Sequence, residues 1–118
     1  MNSYVPKKIK SLINAITKSS DFSNEKLYAL VSSLKITHAD LKPFEQFNHA
    51  LNESYGRCVL YNSLNLEVVV MSWSKGDYTS IHDHGAAQWG AVFCFGQVEH
   101  TSFELQNQNL FISARKNY

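Results

Sequence analysis

Cysteine is scarce in this sequence, and the scarcity excludes a class of fold. Cys58 and Cys94 are the only two cysteines and form no CxxC pair. That is too few for a disulfide framework; one bridge between them is the alternative, and free thiols are the expectation. An excess of one charge is missing too. Eleven Lys and Arg stand against ten Asp and Glu, a net charge of +1. Without a basic excess or stripe, nucleic-acid and membrane-surface binding are not expected. Lys7, Lys8 and Lys10 read more simply as a solvated helix face. No apolar run approaches the ~18 residues of a membrane helix. The first residues carry lysines but no long apolar stretch followed by a small-residue cleavage site, and a cytoplasmic location is the expectation. What is present is a globular composition: 44% hydrophobic and 18% charged in 118 residues. That is one domain's worth of chain, long enough to bury a core without staples.

About residues 1–50 read as helical. Ile9, Leu12, Ile13 and Ile16 recur at i, i+3, i+4 and i+7 within Lys8 to Lys18, one stripe of a helix. Pro6 sits where a first turn tolerates proline. Ser23-Asn24-Glu25 opens a second helix striped by Leu27, Leu30, Val31 and Leu34. A third, short helix begins at Thr37 or His38, and Pro43 limits it. From about residue 54 to 117 the texture is β. Strands are predicted at 54–61, 65–73, 78–84, 87–95, 97–105 and 110–117, with connectors at Asn62-Ser63, Lys75-Gly76-Asp77, Gly85, Gly96 and Asn107-Gln108-Asn109. Such spacing predicts an antiparallel sandwich or barrel.

The sharpest chemical feature is Ile81-His82-Asp83-His84-Gly85. In a strand, i and i+2 share a face, so His82 and His84 project together and Asp83 points away. Two adjacent imidazoles can share one cation; the plainer reading is an ordinary pair of strand histidines. Tyr55 and Arg57 are likewise i and i+2. An arginine on an inner face needs an anion, and a bound carboxylate answers that through charge-assisted hydrogen bonds; the plainer reading is a surface arginine at a strand end. Trp73 reads as core rather than as a cofactor contact. His38 and His49 read as solvent-facing or capping.

Gly76, His82, His84 and Gly96 are spaced like the first signature of the cupin superfamily, with Gln88 or Trp89 where most cupins carry an acid. One cupin family lacks that acid, the cysteine dioxygenases. The stretch Ser72 to His84 resembles that family's Trp-x-x-Gly-x-x-x-Ser-Ile-His-Asp-His segment, and Tyr55-Gly56-Arg57 is similar to its Tyr-x-Arg element. The likeness covers about residues 25–105.

The resemblance implies a mainly β fold: a cupin-type (RmlC-like) antiparallel β-barrel, preceded by an N-terminal helical segment, in a single domain over 1–118. It implies ferrous iron on His82 and His84, with Arg57 and Tyr55 as catalytic residues holding the substrate carboxylate. The implied reaction joins O2 to the sulfur of cysteine, or of a related thiol carboxylate, giving the sulfinate. The family's third histidine and its late tyrosine lie further along than Tyr118, so the barrel is expected to be incomplete. His100 is the one substitute ligand in reach, and an ordinary strand histidine is the plainer reading of it. A second reading is a truncated, inactive cupin acting as a binding or interaction module. A third is a small-ligand cupin using zinc or nickel. A monomer is expected, with an open last strand available for self-association.

Overall fold

The computed structural model describes residues 5–19, 23–85 and 92–117. They fall into two compact units, Met1–Ser80 and Ile81–Tyr118.

The first unit begins with helix α1 (Lys7–Lys18). Its buried residues are Ile9, Leu12, Ile13 and Ile16, the stripe that the sequence periodicity predicts. Helix α2 (Asn24–Ser33) starts at Ser23, whose hydroxyl accepts from the Lys26 amide at 3.2 Å. That bond satisfies one of the donors left open in a first turn. α2 ends with Lys35 in the left-handed region (φ 53°). The Ile36 amide reaches back to the Val31 carbonyl and the Lys35 amide to that of Ser32, the paired bonds of a Schellman ending. Helix α3 (His38–Leu41) carries a capping box between Thr37 and Asp40, and Pro43 follows in a 3-10 turn, Lys42–Phe44.

Strand β1 (Gly56–Asn62) pairs antiparallel with β2 (Glu67–Ser72). Alternation places Cys58 and Leu60 of β1, with Val68 and Val70 of β2, on one face. That face meets α1: Val5, Ile9, Ile13, Phe44, Leu60 and Val70 form one buried cluster, bordered by Ile36, Leu41, Cys58, Tyr61 and Val68. Each fully buried Ile, Leu or Phe contributes about 1.5–3 kcal/mol by leaving water. Ser72 is the polar residue on this face, and its hydroxyl is used: it accepts from the Gln46 amide at 3.0 Å.

The second unit contains strand β3 (Glu99–Gln106) and strand β4 (Asn109–Asn117), paired antiparallel. Asn107 and Gln108 both have positive φ (49° and 66°), as a two-residue type I′ hairpin turn requires.

No cupin barrel is formed among the described residues. Among the described residues the strands make two separate two-stranded sheets, β1–β2 and β3–β4, and neither closes on itself or gains a third strand. A barrel needs an unbroken ladder around its circumference. One of the six predicted strands fails to supply it, and another lies largely outside the described residues. Residues 78–84 are not a strand. The Asp83 carboxylate accepts from the Gly85 amide at 3.0 Å and Gly85 takes φ 57°, a local side-chain turn that competes with ladder formation. Of 87–95, residues 87–91 lie outside the described residues, and 92–95 are not assigned to a strand.

Candidate functional site

The residues that the sequence singles out divide between the two units. In the first, Tyr55, Arg57 and Val59 alternate onto the face of the β1–β2 hairpin that looks away from α1. Opposite them stand Trp73, Met71 and Val69. Tyr55 and Trp73 stack with ring centroids 4.2 Å apart and planes 21° off parallel, the aromatic cross-strand pair that a sheet favours. Trp73 is thus half-buried against Tyr55 rather than in the core beneath the helix. Arg57 does share a face with Tyr55, as i and i+2 require. Its guanidinium is exposed and pairs with the carboxylate of Glu67, also exposed. The anion facing Arg57 is therefore supplied by the chain's own second strand, and exposure makes such a pair worth little, about 0–1 kcal/mol.

His82 and His84 belong to the second unit, in a segment without regular structure. Both are exposed. Their rings meet edge to face, centroids 5.4 Å apart and planes at 74°. His100 is exposed on β3, opposite Lys116 of β4. Among the described residues no three His, Cys, Asp or Glu side chains come together to hold a metal ion. The ferrous site is corrected on that ground: stable iron coordination by this kind of centre needs a third protein arm, and among the described residues none joins His82 and His84. The zinc and nickel variants fall with it. Cys58 and Cys94 are free thiols, each half-buried.

The geometry brings together a different pair. His49 is a largely buried histidine, its side chain 14% exposed, rather than a solvent-facing or capping one. Nδ1 lies 2.9 Å from the Ala50 carbonyl and Nε2 lies 2.9 Å from Oδ2 of Asp77. The same Oδ2 accepts from the Ser74 amide at 2.8 Å. The Asp77 amide donates to the Ser74 carbonyl at 2.9 Å, closing a turn in which Gly76 has φ 90°. Gly76 therefore serves a tight turn that demands positive φ. The Ser74 hydroxyl donates to the Phe47 carbonyl at 3.3 Å. The Asp77 carboxyl is held below the ordinary carboxylate value, first by the Ser74 amide and then by His49. His49 is held above the ordinary histidine value, first by the Ala50 carbonyl and then by Asp77. Sequence reasoning missed this pair because 28 residues separate its members and no periodic pattern links them. A shallow open cleft beside it is lined by Lys42, Glu45, Gln46, Phe47, His49 and Glu53, among others.

Comparison with family models, with curated proteins and with solved structures finds no match for this chain. The resemblance to cysteine dioxygenases thus rests on short motifs alone. The fold that would give those motifs their chemistry is absent among the described residues. The thiol dioxygenase activity, and the degenerate-cupin module offered as its alternative, are withdrawn with it. No helix among the described residues is long and apolar enough to cross a membrane.

Proposed function

We propose that this chain works by self-association, with the β3–β4 hairpin seated on the same hairpin of a second copy. The carrying observation is the hairpin's sidedness. Register places Phe103 opposite Ile112 and Leu105 opposite Leu110, so four apolar side chains occupy one face. They are exposed: Phe103 38%, Leu105 68%, Leu110 53% and Ile112 50%. The opposite face carries Ser102, Glu104 and Gln106 of β3, with Asn109 and a single large apolar residue, Phe111, of β4. A register shift near Ser102 keeps the two faces distinct beyond the middle of the hairpin, bringing Arg115 opposite Thr101 and Asn117 opposite Glu99.

Two physical facts support a second copy as the occupant. An isolated two-stranded hairpin is marginal in water and needs a surface to cover its apolar face. The face also carries one acid, Glu99, and one base, Arg115, so an identical face brings no excess of one charge against it. The size of the face sets the strength. Eight residues at about 3.4 Å by two strands gives roughly 270 Å² of projected face. That is well under the ~800 Å² per partner of a standard interface, so a dissociation constant in the high micromolar range is expected.

Sedimentation velocity across about 10–500 μM tests this. Wild type should shift from monomer towards dimer, and Leu110→Lys combined with Ile112→Lys should hold the chain monomeric throughout. A wild type that stays monomeric at the top of the range, or a double variant that dimerises equally well, removes the proposal.

A further inference from the structure

We propose that His49 and Asp77 form a proton-dependent latch, shut while both ring nitrogens of His49 carry hydrogen and released when Nε2 loses its proton. The latch ties the segment around residues 47–53 to the turn that follows β2.

The hydrogen-bonding inventory carries this. A backbone carbonyl can only accept, so the Ala50 contact requires hydrogen on Nδ1. A neutral ring bearing that hydrogen has a lone pair on Nε2. That lone pair would face Oδ2 of Asp77 at 2.9 Å, acceptor against acceptor. Protonating Asp77 instead is opposed by the Ser74 amide, which donates to the same oxygen at 2.8 Å. Both contacts are therefore satisfied together only by the imidazolium. The site is sheltered, with His49 14% and Asp77 16% exposed, so the mismatch in the neutral state is not simply solvated away.

The charged groups around His49 favour the closed form. Asp77 touches it and the Glu53 carboxylate adds attraction from its own side. Lys42 and Glu45 line the same cleft, and Glu45 is engaged by His38 at 2.5 Å. What opens is local. The Gln46 amide bond to the Ser72 hydroxyl involves no titrating group, so the chain stays anchored at Gln46. The Ser74-to-Phe47 bond and the His49 contacts lie beyond that anchor.

The sign follows from linkage. A histidine raised in the folded state contributes stability that is full below its unfolded value, 6.5, and is lost as pH rises through the folded value. Asp77 is lowered, so its contribution is present above its unfolded value of 3.8 and is lost as pH falls through the folded value. The latch is thus shut in mildly acidic solution and opens towards alkaline pH.

The test uses the full chain. The ring carbons and nitrogens of His49 are titrated by NMR, and amide exchange at Ser74 is measured across the same range, corrected for the intrinsic rate at each pH. His49 should titrate above 6.5, with Ser74 protection falling several-fold through the same midpoint. Asp77→Asn should lower the His49 midpoint and flatten the Ser74 profile. Should that variant fail to fold, His49→Gln serves. It keeps a donor towards Asp77 without titrating, so Ser74 protection should become independent of pH. A His49 midpoint at or below 6.5, or a Ser74 profile that falls equally in His49→Gln, overturns the latch.

Discussion

Gly56 shows how one residue fixes the approach of two segments. A Cβ built there would lie 1.9 Å from the Gln46 carbonyl oxygen and 2.6 Å from its carbon. Both are backbone atoms, so no side-chain rotation relieves the clash. The Gln46 chain can lie against the first residue of β1 only because that residue has no side chain. The same approach lets the Gln46 amide reach the buried Ser72 hydroxyl, and Ser72 stands opposite Gly56 in the ladder. Gly56→Ala should therefore destabilise the first unit by about 1–3 kcal/mol or more through forced backbone displacement. Urea unfolding followed by tryptophan fluorescence checks it, and an unchanged midpoint would show that the 45–50 segment yields freely. The Arg57 to Glu67 pair, by contrast, is exposed at both ends, and removing it is expected to change stability by less than about 1 kcal/mol.

At the scale of elements, two turns hold ordinary residues in a conformation that favours glycine. Lys35 ends α2 at φ 53°, and Gln108 completes the β3–β4 turn at φ 66°. The left-handed region costs a residue with a Cβ about 1–2 kcal/mol. Lys35→Gly should stabilise the first unit and Gln108→Gly the hairpin, each by about 1 kcal/mol. Lys8 donates to the Lys35 carbonyl at 3.0 Å and to Asp40 at 3.3 Å, contacts that the backbone of residue 35 retains. Thermal unfolding checks the first and hairpin amide exchange the second; a loss of stability in either would mean that the side chain contributes more than its strain costs.

These elements also show what was legible beforehand. The α1 stripe, the Ser23 cap, the Thr37 start, the Pro43 stop and four of the six strands follow from local rules that the structure obeys. The strand at 78–84, read from β-branched and aromatic content between turn residues, does not. A local bond from the Gly85 amide to Asp83 outcompetes so short a signal. The barrel rested on the spacing of all six strands and on the cupin resemblance, and among the described residues the strands form only two separate hairpins. His49 and Asp77 were illegible for the opposite reason: each is ordinary in its own window, and only the tertiary fold joins them.

Across the whole molecule, apolar burial is unevenly shared. Among the described residues, the buried apolar side chains run from Val5 to Val70, all within Met1–Ser80. Every residue of β4 is exposed, and Phe103, Leu105, Leu110, Phe111 and Ile112 all retain more than a third of their accessible surface. Opening free energy follows burial, so the two hairpins should differ in protection. In β1–β2, Leu60 and Val70 are covered by Ile9 and Ile13, and those amides should exchange slowly at any protein concentration. In β3–β4 the ladder bonds close without a covered face. At about 10 μM the hairpin amides should exchange close to their intrinsic rates. If a second copy covers Phe103, Leu105, Leu110 and Ile112, protection should rise with concentration by the factor that binding the closed form imposes, about 1 + [L]/Kd. Exchange measured by mass spectrometry at two concentrations separates the cases. Protection that rises in β3–β4 and stays constant in β1–β2 locates association on the apolar face. Protection of β3–β4 that is high and independent of concentration would mean that the hairpin is stable unaided, and would remove the physical need for a second copy.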